Sequence, residues 1–357
     1  MSDRLMVSTR KGWFDLRRGA GGAWSVDQSA YLAVPVSIAA RDPRNGALFL
    51  GLDYGHFGAK FVRSADDGKT WEELEAPSYE GVPGDKSLKL IWSLAFAGGD
   101  QPGVMWAGTV PGGLFKSEDG GQSWALNRTL YDRPEWEQAF GGGFDDPGIH
   151  SLIVDPRDSN RVSFAVSVGG LWSTEDGGES WDLRCDGMWA EYVPPDEKHV
   201  AVMQDPHMFV QCVGELDKYW VQHHNGIFRS VDGLESWQEI TTAPVSNFGF
   251  AVSVHPEDGE TAWFVPAEDD EVRIPVDGKL VVTRTRDGGK TFDELRTGLP
   301  QESAWHLIYR HALDVDASGE RLAMGSTTGG LWVSDDQGDS WGEVSQHLPP
   351  IYAVKFV

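Results

Sequence analysis

Apolar residues in this chain come in short runs, each closed by a cluster of Gly, Pro, Asp or Asn. Some runs alternate with polar residues, as in Ile149–Val154 before Asp155-Pro156 and Phe250–Val254 before His255-Pro256. That period of two is the mark of a strand with one buried face. Other short strands are Met105–Thr109, Ser163–Val168 and Arg321–Ser326. After each of these comes a Gly-Leu-aromatic step: Gly113-Leu114-Phe115, Gly170-Leu171-Trp172 and Gly330-Leu331-Trp332. With 43 Gly and 19 Pro, the 357 residues favour many short strands over long helices.

An eight-residue pattern, Ser/Thr-x-Asp-x-Gly-x-x-Trp/Phe, punctuates these strands. It occurs at Ser64–Trp71, Ser117–Trp124, Thr174–Trp181, Thr285–Phe292 and Ser334–Trp341. A copy at Ser230–Trp237 carries Leu234 in place of the Gly, and a degenerate copy at Arg17–Trp24 carries Gly19 in place of the Asp. The Asp positions are 19, 66, 119, 176, 232, 287 and 336, so neighbours are 47 to 57 residues apart. One four-stranded propeller blade has about this length. Asp and Ser/Thr side chains bond the amides of a tight turn, Gly supplies positive φ, and the aromatic packs the hairpin down. Seven such turns at a blade-length period point to a structural role rather than to calcium.

Each blade then reads as inner strand A, strands B and C, the box as the C–D turn, and outer strand D. Leu5–Thr9, Gly12–Leu16 and Ala23–Val26 supply B, C and D of a blade that lacks its A strand. Ile351–Val357 reads as an A strand with nothing after it. Joining the two closes the ring and removes its open edges. The fold predicted is all-β, a seven-bladed β-propeller in one domain spanning residues 1–357.

Composition narrows the function classes. Formal net charge is −25, a field that repels phosphate backbones and anionic lipid heads, so neither nucleic acid nor membrane is an expected partner. No stretch approaches the roughly 18 consecutive apolar residues of a membrane span. The first residues lack the apolar core and cleavage site of a signal peptide, so a cytoplasmic location is expected. Cys185 and Cys212 are too few for a disulfide framework and are expected to be free thiols.

The face opposite the boxes carries the B–C turns, the D–A connections and the entrances of the A strands, where loops of several blades converge. Long D–A connections run over Ala76–Leu90, Thr129–Gly148, Asp186–Pro206 and Thr297–Tyr309. They hold Trp136, Phe140, Asp145, Asp146, Trp189, Glu191 and Tyr192. His56 lies in one B–C turn, and His223 and His224 in another. Aligned A strands place His150, His207 and His311 at their entrances, with Trp92, Phe250 and Tyr352. His56, His150, His207 and His224 are therefore candidate ligands for one divalent zinc, iron or copper ion. Hydrogen-bonded imidazoles at a pore mouth are the plainer account of the same positions.

The boxes resemble those of the Asp-box (BNR) repeat propellers, which include sialidases, the sortilin ectodomain and xyloglucan-degrading hydrolases. The layout also resembles bacterial BNR-repeat proteins described as exo-α-sialidase-like. The resemblance implies a small-ligand site, with a sugar among the candidates, at the axial mouth of a hydrolase. Glycoside cleavage uses two carboxylates, or a tyrosine nucleophile assisted by an acid. The candidates are Asp53, Asp145 and Glu191, with Tyr352; Asp146, Asp205, Glu268, Tyr192 and Tyr309 lie on the same face. Sialidases clamp a sugar carboxylate with three arginines and carry an Arg-Ile-Pro motif near the chain start. Here Arg273-Ile274-Pro275 matches in letters but falls late in the chain, between two boxes. Arg10, Arg273 and Arg310, with Trp92 and Phe250, are the substrate-binding candidates. The displaced motif and a seventh blade, against six in sialidases, argue against true sialidase activity. Because enzymes and binding proteins share this repeat, a non-catalytic binding or interaction scaffold is the alternative.

Overall fold

A computed structural model describes residues 1–83, 86–141 and 145–357. It is an all-β, seven-bladed β-propeller, with seven four-stranded sheets. Six sheets take their strands consecutively from the chain. The seventh joins Ile351–Phe356 to Arg4–Thr9, Gly12–Arg18 and Trp24–Ala30. The two compact units are Met1–Ala33 with His207–Val357, and Val34–Pro206. The division passes inside the strand Pro206–Gln211. By pairing, that strand belongs to the first unit's sheet with Tyr219–His223, Gly226–Ser230 and Gln238–Ile240.

Burial follows position within the sheet. The second strands Met105–Val110, Val162–Val166, Tyr219–His223, Ala262–Pro266 and Leu322–Gly325 are buried at every residue. Both their faces are covered. Outer strands such as Glu72–Leu74 are short and polar. Trp106, Trp172, Trp220, Trp263 and Trp332 are fully buried and supply the largest side chains of the cores.

The C-terminal strand pairs antiparallel with Arg4–Thr9, from Leu5 opposite Phe356 to Ser8 opposite Ala353 and, after a bulge, Thr9 opposite Ile351. Side chains reinforce the joint. Ser2 Oγ donates to the Val357 carbonyl at 2.7 Å. The amide of Phe356 and the ammonium of Lys355 donate to the Asp314 carboxylate at 2.8 and 2.7 Å.

All six intact boxes make the same bonds. In Ser117–Trp124, Ser117 Oγ donates to Asp119 and accepts the Gly121 amide, both at 2.8 Å. Asp119 accepts the Ser123 amide at 3.0 Å and its hydroxyl at 2.6 Å. Positions four and five both have positive φ, for example Gly120 at 75° and Gly121 at 87°. That is the backbone of a tight hairpin turn matched to strand twist. Leu234 holds the same conformation, φ 77°, where the other five boxes place Gly. Hydrogen bonding pulls the box carboxyls down: that of Asp119 is held at about 2, first by the Ser123 hydroxyl and then by its amide. The degenerate turn keeps its hairpin through backbone bonds of Gly19 and Gly22.

Loop regions hold more structure than the sequence predicted. The Thr129–Gly148 connection overlaps a helical turn, Arg128–Tyr131, capped by Asn127, and contains a 3-10 turn, Trp136–Gln138. Trp136 is buried edge-on to Phe164 and Trp172. Both cysteines are free and buried. They lie just beyond the strands Asp182–Leu183 and Pro206–Gln211.

Candidate functional site

His207 is the second residue of the inner strand Pro206–Gln211, and it is almost fully buried. Its Nδ1 lies 2.6 Å from the carbonyl oxygen of Gly249, at the start of the next inner strand, Gly249–Val254. A carbonyl only accepts, so the proton sits on Nδ1. In the neutral ring the lone pair is then on Nε2. The imidazole stacks on Phe250 with centroids 4.5 Å apart and meets Phe248 edge-on at 5.5 Å.

His224 comes from the turn between Tyr219–His223 and Gly226–Ser230. Its ring stands edge-on to His207, centroids 5.5 Å apart, and also contacts Phe248. Nε2 of His224 lies 3.6 Å from Asp270 Oδ2. Asp270 has a second task, since its backbone carbonyl accepts Arg273 Nε at 2.8 Å.

Phe250 is the hub of the cationic side of this cluster. The Arg273 and Arg310 guanidiniums lie 5.5 and 5.3 Å from its ring centroid, within cation–π range. Tyr309 meets the same ring edge-on at 5.0 Å. Phe248, Phe250, Ala267 and Leu307 form the apolar floor, with Tyr309 packed against it.

Five of the residues singled out from the sequence are thus brought together: His207, His224, Phe250, Arg273 and Arg310. The other candidates have different neighbours. His150 is buried, with Nδ1 2.8 Å from Ser151 Oγ and Nε2 2.7 Å from the Pro206 carbonyl. Trp92 packs edge-on against its ring at 5.6 Å. His56 is exposed on the 3-10 turn Gly55–Phe57, against Phe57. Asp53 ends the strand Leu48–Asp53, and its Oδ1 accepts the Gly55 amide at 2.7 Å. Asp145 and Glu191 are exposed, Arg10 is exposed at a hairpin turn, and Tyr352 is half-buried on the closing strand. Tyr192, beside Glu191, has its phenol pushed up by burial and then by the charge of Asp205.

Sequence reading missed Phe248 and Asp270. Phe248-Gly249-Phe250 does carry a signal, a pair of aromatics flanking the inner-strand entrance. Asp270 sits in the acidic run Glu268–Glu271, where nothing in the pattern marks one carboxylate over its neighbours.

No family model matches the chain. Among curated proteins it is 26% identical to an oligoxyloglucan-reducing end-specific xyloglucanase of Emericella nidulans, over 96% of this chain and 43% of that protein. It is 28% identical to the photosystem II assembly lipoprotein Ycf48 of a Synechococcus strain, over 94% of this chain and 81% of that one. The chain therefore spans less than half of the xyloglucanase. Among solved structures, the GH74 xyloglucanase of Xanthomonas campestris superposes with a TM-score of 0.68 at 17% identity, covering 97% of this chain and 53% of that chain. Ycf48 bound to a D1 peptide superposes at 0.52 and 16% identity, covering 83% and 78%. These structural likenesses show the fold. The propeller is thus related to a carbohydrate hydrolase and to an assembly protein.

Proposed function

We propose that the protein binds a small saccharide at the His207–Phe250 cluster and hydrolyses it. The observation that carries the reading is the convergence on one phenylalanine of a stacked imidazole, an edge-on tyrosine and two guanidiniums. Ligand sites combine an apolar wall with a few convergent polar groups in this way. Arginine donors suit sugar hydroxyls and carboxylates. Trp305 adds a large exposed ring, 60% accessible, on the connection that leads to Tyr309. The hydrolytic part of the reading is supported by the likeness to xyloglucanases.

The test is calorimetric titration of xyloglucan and cello-oligosaccharides, together with release of reducing ends from the same substrates. Binding that Arg310→Met and Phe250→Ala both weaken, with turnover by the native protein, is the expected result. If no saccharide binds, the carbohydrate reading is wrong.

A second reading is a non-catalytic binding propeller. The Ycf48 match favours it, because it covers 81% of that protein whereas the xyloglucanase match covers 43%. Saccharide or peptide binding without turnover is its signature.

A further inference from the structure

We propose that Thr328 and His306 form a nucleophile–base pair that cleaves small, activated carboxylic esters. The pair does not depend on the saccharide reading. Thr328 is an exposed residue of the turn between Leu322–Gly325 and Leu331–Ser334. His306 lies on the connection that leads to Tyr309, and its Nδ1 is 2.5 Å from Thr328 Oγ1. The imidazole stands edge-on to Trp332, with centroids 5.0 Å apart. A base within hydrogen-bond reach of an accessible hydroxyl, with a third group orienting the pair, is the arrangement that activates a nucleophile.

Ser326, a fully buried residue, is that third group. Its Oγ lies 2.9 Å from Thr328 Oγ1 and 3.3 Å from His306 Nδ1, and it accepts the Gly330 amide at 2.9 Å. An amide only donates, so this end sets the direction of the chain. Ser326 gives its single hydrogen to Thr328, the nearer acceptor, and Thr328 gives its own to Nδ1. That order places every hydrogen, whereas the reverse order makes Ser326 accept from both sides. Burial lowers the pKa of His306, which keeps the imidazole neutral and able to accept. Backbone bonds hold the parts together: the Thr327 amide donates to the Leu307 carbonyl, and the Gly329 and Ile351 amides donate to the Ser326 carbonyl. In the reaction Thr328 Oγ1 attacks the ester carbonyl carbon while its proton passes to His306 Nδ1. The bond from that carbon to the leaving oxygen breaks, the leaving oxygen takes the proton from the imidazolium, and an acyl-threonine remains. Water, deprotonated by the same imidazole, then releases the carboxylic acid and Thr328 regains its proton.

The experiment uses the full chain, prepared without a histidine tag, with every variant confirmed folded by circular dichroism. 4-Nitrophenyl dimethylcarbamate, whose carbamoyl adduct hydrolyses slowly, should label Thr328 as found by peptide mapping, and 4-nitrophenyl acetate should be turned over. His306→Gln should slow both reactions by at least about 100-fold, within the range of a general base. Thr328→Val should abolish both, and Thr328→Ser should restore them. Ser326→Ala, which removes only an orienting group, should lower the rate at saturating ester and leave the half-saturating concentration unchanged. The labelling rate should rise with pH to a plateau, with its midpoint below the ordinary 6.5 of histidine, because only the neutral imidazole accepts the proton. His347→Gln, at an exposed histidine, should behave as the native protein does. Should Ser326→Ala fail to fold, the exposed Thr328 and half-buried His306 variants still decide. Folded native protein in which the carbamate leaves Thr328 unlabelled overturns the proposal, as does labelling at the native rate in His306→Gln or acetate turnover that survives Thr328→Val.

Discussion

The contact that seats the closing strand can be tested with two side chains. Ile351 begins that strand and is fully buried. It packs against Gly325 of the neighbouring sheet so closely that a Cβ on Gly325 would lie 2.5 Å from Ile351 Cγ2 and 3.0 Å from Cδ1. Gly325 does not have positive φ, so alanine there meets a packing obstacle and no backbone penalty. Ile351→Ala removes buried methyls and leaves a cavity, a loss of about 2–5 kcal/mol. Gly325→Ala overpacks the same spot, at about 1–3 kcal/mol. In the double variant the new methyl occupies space that the isoleucine vacated. Its destabilisation should therefore fall short of the sum of the singles by at least about 1 kcal/mol, within the range seen for touching residues. Urea unfolding followed by tryptophan fluorescence measures all four corners of the cycle. Additivity within about 0.5 kcal/mol would show that the two residues are not in contact, and the packing between closing strand and neighbouring blade would have to be redrawn.

The boxes should make the protein acid-labile. The carboxyls of Asp66, Asp119 and Asp176 are held at about 2 against an ordinary 3.8, so the stability they add is present above pH about 4. It is lost as pH falls through about 2. A urea midpoint that stays flat from pH 4 to 2 would contradict this. Ser123→Ala should let the Asp119 carboxyl rise toward its ordinary value, read from its carboxylate carbon shift. Ellman's reagent should find no reactive thiol in native protein and two in unfolded, unreduced protein. Burial pushes the Cys185 thiol up to about 12 and raises that of Cys212. Phe250→Ala should cost about 3–5 kcal/mol of stability, because the ring is 3% exposed. It should also release Arg310 from its stacked position.

Blade number, strand order and ring closure were legible in the sequence because each depends on local chemistry repeated at a fixed period. A box closes its hydrogen bonds within eight residues, from Ser64 to Trp71 for example. Even the degenerate turn at Arg17–Trp24 is located by its place in the period, with backbone bonds of Gly19 and Gly22 closing it. Convergence of side chains is a different kind of quantity. His150 and His207 occupy the same second position of an inner strand, and periodicity alone treats them as equals. Their partners differ. The His150 ring faces the hydroxyl of Ser151 and the carbonyl of Pro206, whereas His207 turns one nitrogen to Gly249 and stacks beside His224. His56 shares a B–C turn position with His224, yet it lies exposed on a 3-10 turn. Loop conformation and the packing of particular rings decide which imidazoles meet, and those depend on contacts between blades that no repeat pattern encodes.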